Sequence, residues 1–285
     1  MMKQKDIYEA YHLPLRERYP EPEAKAAACL LAEGVHGISR MALYVDPQRD
    51  IPVDPAEMER VEAAIRADVP VQYILGKTVF YGREFRVDPR VLIPRPETEE
   101  LVRWVAECCA ERGMTAPAVL DIGCGSGAIA ITLAAEMPEA AVRGCDRSAG
   151  ALEVSRENAR LLGLEERVSF YPCDILQCGE LPPLDLIVSN PPYVCLGERA
   201  QMRPNVLRHE PAEALFVEDH DPQLFYRTIA RLAAASLRSG GMLFFEINER
   251  FGRETMQLLR EEGFAEVILR RDLFGKERMV AAIQK

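Results

Sequence analysis

The fold of this chain is decided by Ala118-Val119-Leu120-Asp121-Ile122-Gly123-Cys124-Gly125-Ser126-Gly127. Its first half is a short apolar run, which predicts a buried strand, and its second half is a glycine-rich turn. The apolar stretch 128–136 that follows predicts a helix. A strand, a glycine loop and a helix in this order let a cofactor approach the backbone without a side chain in the way.

Strands and helices alternate from this stretch to the end of the chain. Strands are predicted at 118–122, 141–145, 168–171, 184–188, 242–247, 265–270 and 279–283, and helices at 128–136, 149–162, 221–237 and 250–262. Such spacing indicates βαβ units and a doubly wound, mostly parallel sheet with helices on both faces. The last two strands are too close for a crossover helix and should pair antiparallel. The prediction is an α/β fold with a Rossmann-like sheet of six parallel strands and one antiparallel edge strand.

The part of the chain before this sheet has a different pattern. Residues 1–74 contain apolar stripes at helical spacing, which predict a small helical bundle that either packs as an appendage or docks a substrate. Between residues 71 and 91 the pattern changes to short alternating runs, including Tyr73-Ile74-Leu75, and those about Gly82 predict a hairpin. The predicted domains are therefore 1–74 (helical), 75–92 (connecting β-hairpin) and 93–285 (catalytic).

Composition narrows the classes of partner. The 285 residues carry a formal net charge of −10, which opposes a partner bound through its phosphates. No apolar run has the length of a membrane span, so we expect a cytoplasmic protein with no membrane contact. The eight cysteines form no C-x-x-C pair, so no metal site is expected. A monomer is the default expectation.

The predicted strand ends outline a cofactor site. The loop supplies Gly123, Cys124, Gly125, Ser126 and Gly127, and the next two strands end at Asp146 and at Asp174-Ile175. A carboxylate at Asp146 can accept hydrogen bonds from both hydroxyls of a ribose, while Asp174 can accept from an adenine amine and Ile175 can pack on the base. The same pattern fits a dinucleotide enzyme, and each aspartate has an alternative role as a helix cap.

The fourth strand ends in Ser189-Asn190-Pro191-Pro192-Tyr193, which we expect to carry the chemistry. The Asn190 side-chain oxygen and the Pro191 carbonyl can accept the two N–H bonds of a planar amide or amine, and Tyr193 can stack on it. The group's nitrogen then faces a methyl donor. A rigid turn without chemistry is the alternative. The motif by itself allows adenine or guanine amines as well as glutamine side chains.

The chain resembles the release factor glutamine methyltransferases over most of its length. The resemblance is carried by residues 73–76 with 80–82, 92–99 (Leu-Ile-Pro-Arg-Pro-Glu-Thr-Glu), 123–130, 188–193, 210–211 with 214–215, and 272–278. The run 92–99 is the most specific, because it separates this family from the nucleic-acid amine methyltransferases. Asn248 departs from the family pattern, in which a glycine is common at this position.

The resemblance implies a substrate and site roles. It implies methyl transfer from S-adenosylmethionine to the side-chain amide nitrogen of the glutamine in the Gly-Gly-Gln motif of peptide-chain release factors, which the helical bundle helps to dock. By matched position, residues 123–127, Asp146, Ile175 and Asn190 line the cofactor, and residues 190–193 hold the glutamine. We expect Arg95 and Glu97 to support the pocket structurally rather than to take part in the chemistry. An RNA or DNA amine methyltransferase is the second hypothesis and an NAD-binding domain the third.

Overall fold

The computed structural model describes all 285 residues, and its chain divides into two compact units. The first unit comprises Met1–Lys77 and Met202–His209, and the second comprises Thr78–Gln201 and Glu210–Lys285. In this division the hairpin lies almost wholly in the second unit. The segment 202–209, which falls inside the range predicted for the catalytic domain, belongs to the first.

The first unit is helical, with a two-stranded ribbon. Its elements are β1 (Met2–Lys3), α1 (Gln4–Arg16), α2 (Glu21–His36), α3 (Arg40–Val45), β2 (Asp50–Ile51), α4 (Pro55–Arg66) and α5 (Val71–Leu75). The Asp54 side chain caps α4 by accepting from the backbone N–H of Ala56. The apolar stripe predicted on α4 is confirmed, because Met58, Val61 and Ile65 are buried in the core of this unit.

Tyr73-Ile74-Leu75, expected to be extended, lies in α5, so that prediction was wrong. Pro70 stands at the N-cap of this helix and Gly76 at its C-cap, in the left-handed conformation. Val71 and Ile74 are three residues apart and both buried, which is a helical spacing. In so short a segment the proline and glycine decide the structure, and the apolar run does not.

The second unit contains the remaining strands and all the remaining helices but one. They are β3 (Lys77–Phe80), β4 (Arg83–Arg86), α6 (Pro96–Glu111), β5 (Ala118–Ile122), α7 (Ala128–Glu136), β6 (Ala141–Asp146), α8 (Ala149–Leu161), β7 (Val168–Pro172), β8 (Leu184–Ser189), β9 (Val194–Cys195), α9 (Pro204–His209, in the first unit), β10 (Phe216–Val217), α10 (Leu224–Ser236), β11 (Leu237–Glu246), α11 (Gly252–Glu261), β12 (Glu266–Arg271) and β13 (Glu277–Ile283). Three single-turn or two-turn 3₁₀ helices lie at Leu196–Gln201, Ala212–Ala214 and Glu249–Phe251. The predicted hairpin is the pair β3–β4.

The seven-stranded sheet has the order β12-β13-β11-β8-β5-β6-β7, which confirms the predicted fold class. Strand β13 is antiparallel to both β11 and β12. It therefore lies inside the sheet, and the prediction of an antiparallel edge strand was wrong. The crossover through α11 leaves a space between β11 and β12, and the tight turn after β12 returns the chain into that space.

Helices cover the sheet on both faces, as predicted. Leu101, Ile131 and Leu152, from α6, α7 and α8, pack on one face, and Ile229 and Leu259, from α10 and α11, pack on the other. Because β5, β6, β7 and β8 are parallel, their carboxyl ends meet at one edge of the sheet. None of the helices combines the length and the apolar content that a membrane crossing requires.

Candidate active site

One pocket opens at the carboxyl edge of the sheet. The four strand ends contribute Gly123 and Gly125 after β5, Asp146 at the end of β6, Cys173 to Ile175 after β7, and Ser189 to Pro192 at the end of β8. The rest of its wall consists of Arg90, Val91, Leu92, Ile122, Arg147, Ser148, Ala151, Pro211, Glu213, Ala214, Phe225 and Ile229. All of these residues belong to the second unit.

The glycine loop is shaped by its backbone. Gly125 has φ +52°, which lies in the left-handed region, and a Cβ built on it would meet no atom within 4 Å. A side chain there would project into open space at the pocket wall. Gly127 has φ +80°, and a Cβ there would lie 2.9 Å from Ile131 Cδ1. Gly125 therefore keeps the pocket wall free of side chains, and Gly127 lets the loop close onto α7.

Asp146 is bound to the glycine loop. Its Oδ2 accepts from the Gly125 N–H at 2.9 Å, and its Oδ1 accepts from the Ser148 N–H at 2.9 Å. Burial raises the pKa of Asp146, and these backbone donors act against that rise. Each carboxylate oxygen has a second lone pair, so the group can also accept from hydroxyls of a ligand.

Asp174 both lines the pocket and shapes a turn. Its Oδ1 accepts from the Leu176 N–H at 3.1 Å, and its Oδ2 accepts from Gln177 Nε2 at 2.9 Å. No helix follows Asp174, so the helix-cap alternative is wrong for this residue, whose side chain closes a turn and also lies on the pocket wall. Ile175 is buried and provides an apolar surface there.

Four of the predicted site residues do not line the pocket. Cys124 is buried in the core below the loop, where desolvation raises the pKa of its thiol. The buried Ser126 accepts, through its carbonyl, a hydrogen bond from Asn158 Nδ2 at 2.9 Å. Gly127 caps α7. Tyr193 packs against the core cluster on the α10 face of the sheet. Cys124, Ser126 and Gly127 thus stabilise the conformation of the loop on the side that faces the core, away from the pocket.

The strand end that carries Asn190 is held on two sides. Ser189 Oγ donates to the Ile122 carbonyl at 2.7 Å, which ties the end of β8 to the end of β5. Asn190 Nδ2 donates to Thr98 Oγ1 at 3.3 Å. The amide nitrogen of Asn190 is thereby directed toward α6, and the opposite, oxygen end is directed away from it.

Behind Asn190 lies a buried carboxylate that sequence reasoning missed. Glu246, at the end of β11, is 1% exposed, and its Oε2 accepts from Thr98 Oγ1 at 2.6 Å. Its Oε1 accepts from the Tyr193 hydroxyl at 3.0 Å. Burial raises the pKa of Glu246, while both hydroxyls and the positive charge of Arg278 lower it. Glu246 stands at the end of a strand, which is the same sequence signal that identified Asp146 and Asp174, so this signal could have identified it.

The segment that leads into α6, residues 92–95, is fixed by a second buried carboxylate, that of Glu210. Glu210 Oε1 accepts from Arg95 Nη2 at 2.5 Å, and its Oε2 accepts from the Ile93 N–H at 3.1 Å. Neither Arg95 nor Glu97 lines the pocket. Arg95 thus acts as a support, which is the role that the family resemblance implied for it.

Asn248, the departure from the family pattern, has a defined role. Its φ is −67°, so a glycine is not required there. Its Nδ2 donates to the Tyr193 carbonyl and to Glu198 Oε2, at 3.1 Å each. The asparagine therefore fastens the turn after Asn190 to the end of β11.

Comparison with known proteins gives two family matches. Residues 103–210 match the "Methyltransferase small domain" family, and residues 13–76 match the "PrmC N-terminal domain" family. Relatives described as release factor glutamine methyltransferases include one from Flavobacterium psychrophilum, 41% identical with 92% of each chain covered. Another, from Chlorobaculum tepidum, is 42% identical with 88% of this chain and 87% of the relative covered.

Solved structures with a similar fold are more distant in sequence. The Thermus thermophilus 16S rRNA N2 G1207 methyltransferase, in complex with AdoMet and guanosine, has a TM-score of 0.51 at 20% identity, covering 73% of this chain and 50% of that one. A methyltransferase from Pyrococcus furiosus has a TM-score of 0.50 at 15% identity, covering 72% and 90%. These likenesses support the fold.

Proposed function

The chain belongs to the release factor glutamine methyltransferase family, and on that premise we propose that the pocket beside Asn190 is where a release factor glutamine is methylated. The protein is an S-adenosylmethionine-dependent protein-glutamine N-methyltransferase. The observation that carries the proposal is that the glycine loop, Asp146 and Asn190 all line one pocket. The nitrogen of the Asn190 amide is held by a hydrogen bond to Thr98. The proposed acceptor is the glutamine of the Gly-Gly-Gln motif.

The residues of the pocket fit the cofactor. The wall at Gly123 and Gly125 has open space where side chains would stand. Asp146 has lone pairs free for ribose hydroxyls, and Ile175 offers an apolar face for a base. Bound there, S-adenosylmethionine supplies an electrophilic methyl group.

Orientation is the main task of the protein in this reaction. The lone pair of a glutamine amide nitrogen is delocalised into its carbonyl, so the nitrogen is a weak nucleophile. In the proposal, Asn190 Oδ1 and the Pro191 carbonyl accept the two N–H bonds and turn the nitrogen toward the methyl group. Holding two reactants in line contributes about 7 to 11 kcal/mol relative to a free encounter.

The reaction does not require a strong base. The amide nitrogen gains a methyl group and then loses one of its two hydrogens as a proton. An amide protonated on nitrogen is a strong acid, so this proton passes readily to water. The absence of a histidine from the pocket wall is consistent with this requirement.

We also propose that the first unit docks the release factor. Its support is the match of residues 13–76 to a domain family of its own, separate from the methyltransferase match. The net charge of −10 supports a protein partner over a nucleic acid. One copy of the chain contains the whole pocket, which supports action as a monomer. The proposed location is the cytoplasm, where release factors act.

A labelling experiment tests the function. Purified protein is incubated with labelled S-adenosylmethionine and either a release factor or total RNA. We expect label in the release factor and none in the RNA. Label in RNA alone would contradict the proposal and favour an amine methyltransferase of nucleic acid.

A further inference from the structure

A chain of buried hydrogen bonds runs from β11 to the proposed catalytic asparagine. Glu246 is 1% exposed and Thr98 is 4% exposed. Thr98 lies in the first turn of α6, and its hydroxyl oxygen is 2.6 Å from Glu246 Oε2 and 3.3 Å from Asn190 Nδ2. The three side chains therefore form a single line from a buried carboxylate to the pocket.

The direction of the hydrogen bonds in this line is determined by its buried end. Glu246 Oε2 accepts from the Thr98 hydroxyl, so the single hydrogen of that hydroxyl is directed toward Glu246. Thr98 Oγ1 is then only an acceptor toward Asn190. The Asn190 amide must present its NH₂ group to Thr98, and its carbonyl oxygen is left for the substrate.

We propose that Thr98 is a positioning residue that sets which end of the Asn190 amide faces the substrate, with Glu246 fixing the direction of the Thr98 hydrogen bond. The inference rests on the proposed role of Asn190 in holding the glutamine. It explains why the oxygen of the Asn190 amide, and not its NH₂ group, faces the glutamine. A side-chain amide has two ends of nearly equal shape, and only the oxygen end can accept an N–H from a glutamine.

Burial disfavours the ionised form of Glu246, and the groups around its carboxyl act against that effect. Tyr193 donates its hydroxyl to the other carboxylate oxygen at 3.0 Å, so both oxygens accept from O–H donors. The positive charge of Arg278 acts in the same direction. Tyr226 OH also donates to the Glu246 backbone carbonyl, at 3.2 Å, which fixes the end of the strand.

If the hydrogen bonds among Glu246, Thr98 and Asn190 ran in the opposite direction, the site could not hold a glutamine amide. If the hydroxyl hydrogen of Thr98 pointed toward Asn190, the asparagine would turn its oxygen to Thr98 and its NH₂ group to the pocket. The NH₂ group of Asn190 would then face the N–H bonds of the substrate amide, and two donors repel one another. The same atoms in the same places would no longer accept a glutamine amide.

The test uses full-length protein and three threonine variants. Thr98→Val removes the hydroxyl at nearly constant volume, and Thr98→Ser restores it. Thr132→Val is the matched control, because Thr132 is also buried but its hydroxyl has no hydrogen-bond partner. Calorimetry gives the Kd for S-adenosylmethionine, melting curves report folding, and kcat and KM are measured with a release factor.

We expect Thr98→Val to lower kcat by about 10²-fold, the order of loss for a misplaced reacting group, with the Kd for S-adenosylmethionine near wild type and a melting temperature that is lowered but still above the assay temperature. Thr98→Ser should recover most of the rate, and Thr132→Val should match wild type. A Thr98→Val enzyme with wild-type kcat, or a Thr98→Ser enzyme as slow as Thr98→Val, would overturn the inference. A wild-type enzyme that does not methylate the release factor would overturn the proposed function instead.

Glu246→Gln provides a second measurement. A glutamine can donate its NH₂ to Thr98 Oγ1, which frees the hydroxyl hydrogen to point at Asn190. We expect a loss of kcat similar to that of Thr98→Val. The double variant Thr98→Val with Glu246→Gln should be no slower than the slower single variant, because both act through the same line. Losses that multiply in the double variant would contradict the inference.

Discussion

Asn190 has a hydrogen-bond partner at its nitrogen end, Thr98, and an oxygen end available to the pocket. This asymmetry makes a residue with no acid-base chemistry useful for catalysis. It can accept from an N–H without competing for the proton. Aspartate at the same position would accept equally well but would place a negative charge against Thr98 Oγ1, which has no hydrogen left to donate.

Replacement of Asn190 separates chemistry from cofactor binding. We expect Asn190→Ala to lower kcat by about 10² to 10³-fold, as for other positioned hydrogen-bonding groups. Binding of S-adenosylmethionine should remain measurable by calorimetry, because Asp146 and the glycine loop are unchanged. Unchanged turnover would show that Asn190 does not orient the substrate.

Asp121 gives a pH-dependent contribution to stability. It is fully buried, its Oδ2 accepts from the Ala130 N–H at 3.1 Å, and its Oδ1 has no partner. Burial raises the pKa of Asp121 to about 8, compared with about 4 in an unfolded chain. Between these values the folded state holds a proton that the unfolded state has released. Raising the pH through this window therefore favours unfolding.

The variant Asp121→Asn tests that contribution, because it is neutral at every pH. We expect the free energy of unfolding of the wild type, relative to Asp121→Asn, to fall from pH 5 to pH 8, by up to about 1.4 kcal/mol per pH unit. It should level off above pH 8. Denaturant titrations at several pH values measure the difference. Parallel curves for the two proteins would contradict a neutral Asp121.

Individual residues of the site differ in how far the sequence reveals them. Gly123, Gly125, Asp146, Asp174 and Ile175 follow from the rule that ligands bind at strand ends, and they line the pocket. The link from Thr98 to Glu246 joins residues 148 positions apart in the chain. No local pattern records such a pairing, so only the folded structure shows it.

At the scale of elements, local patterns predict the parallel part of the sheet well. Strand β5 and helix α7 have the predicted bounds, because an apolar strand and a glycine loop leave few alternatives. The position of β13 within the sheet is not a local property. It depends on which strands leave space for it, and the sequence of β13 is compatible with an edge or an interior strand.

The junction of the glycine loop with α7 allows a matched pair of glycine variants. Gly127 and Gly163 both have positive φ, at +80° and +66°, but only Gly127 is closely packed. Alanine in the left-handed region costs about 1 to 2 kcal/mol, and overpacking costs a further 1 to 3 kcal/mol or so. We expect Gly127→Ala to lower the free energy of unfolding more than Gly163→Ala in denaturant titrations. Equal losses would show that packing at Gly127 is not tight.

At the scale of the whole molecule, the sequence did not reveal which segments of the chain form the first unit. Helix α9 lies in the sequence between the Asn190 motif (residues 189–193) and Glu210, yet it belongs to the first unit. Within that unit Arg203 pairs with Glu23, Arg208 pairs with Asp68 at 2.7 Å, and the His209 ring lies 2.9 Å from the Ala67 carbonyl. Charged side chains on a short helix are equally typical of a solvent-exposed loop.

The proposed docking role predicts an effect limited to intact substrate. Helix α3 exposes Met41, Tyr44 and Val45, and Tyr44 is 87% exposed. We expect Tyr44→Ser to raise KM for an intact release factor by about tenfold, as for a moderate interface aromatic. KM for a short glutamine peptide should not change. Leu161→Ser, on α8 of the second unit and also exposed, is the control. Equal effects of Tyr44→Ser on peptide and protein would contradict docking at α3.

The most direct test of the central claim is to locate the transferred methyl group by tandem mass spectrometry of a release factor treated with the enzyme and S-adenosylmethionine. The account predicts one added methyl group, on the side-chain amide nitrogen of the Gly-Gly-Gln glutamine, and none with Asn190→Ala enzyme. A methyl group on any other residue, or equal methylation by the Asn190→Ala enzyme, would contradict it.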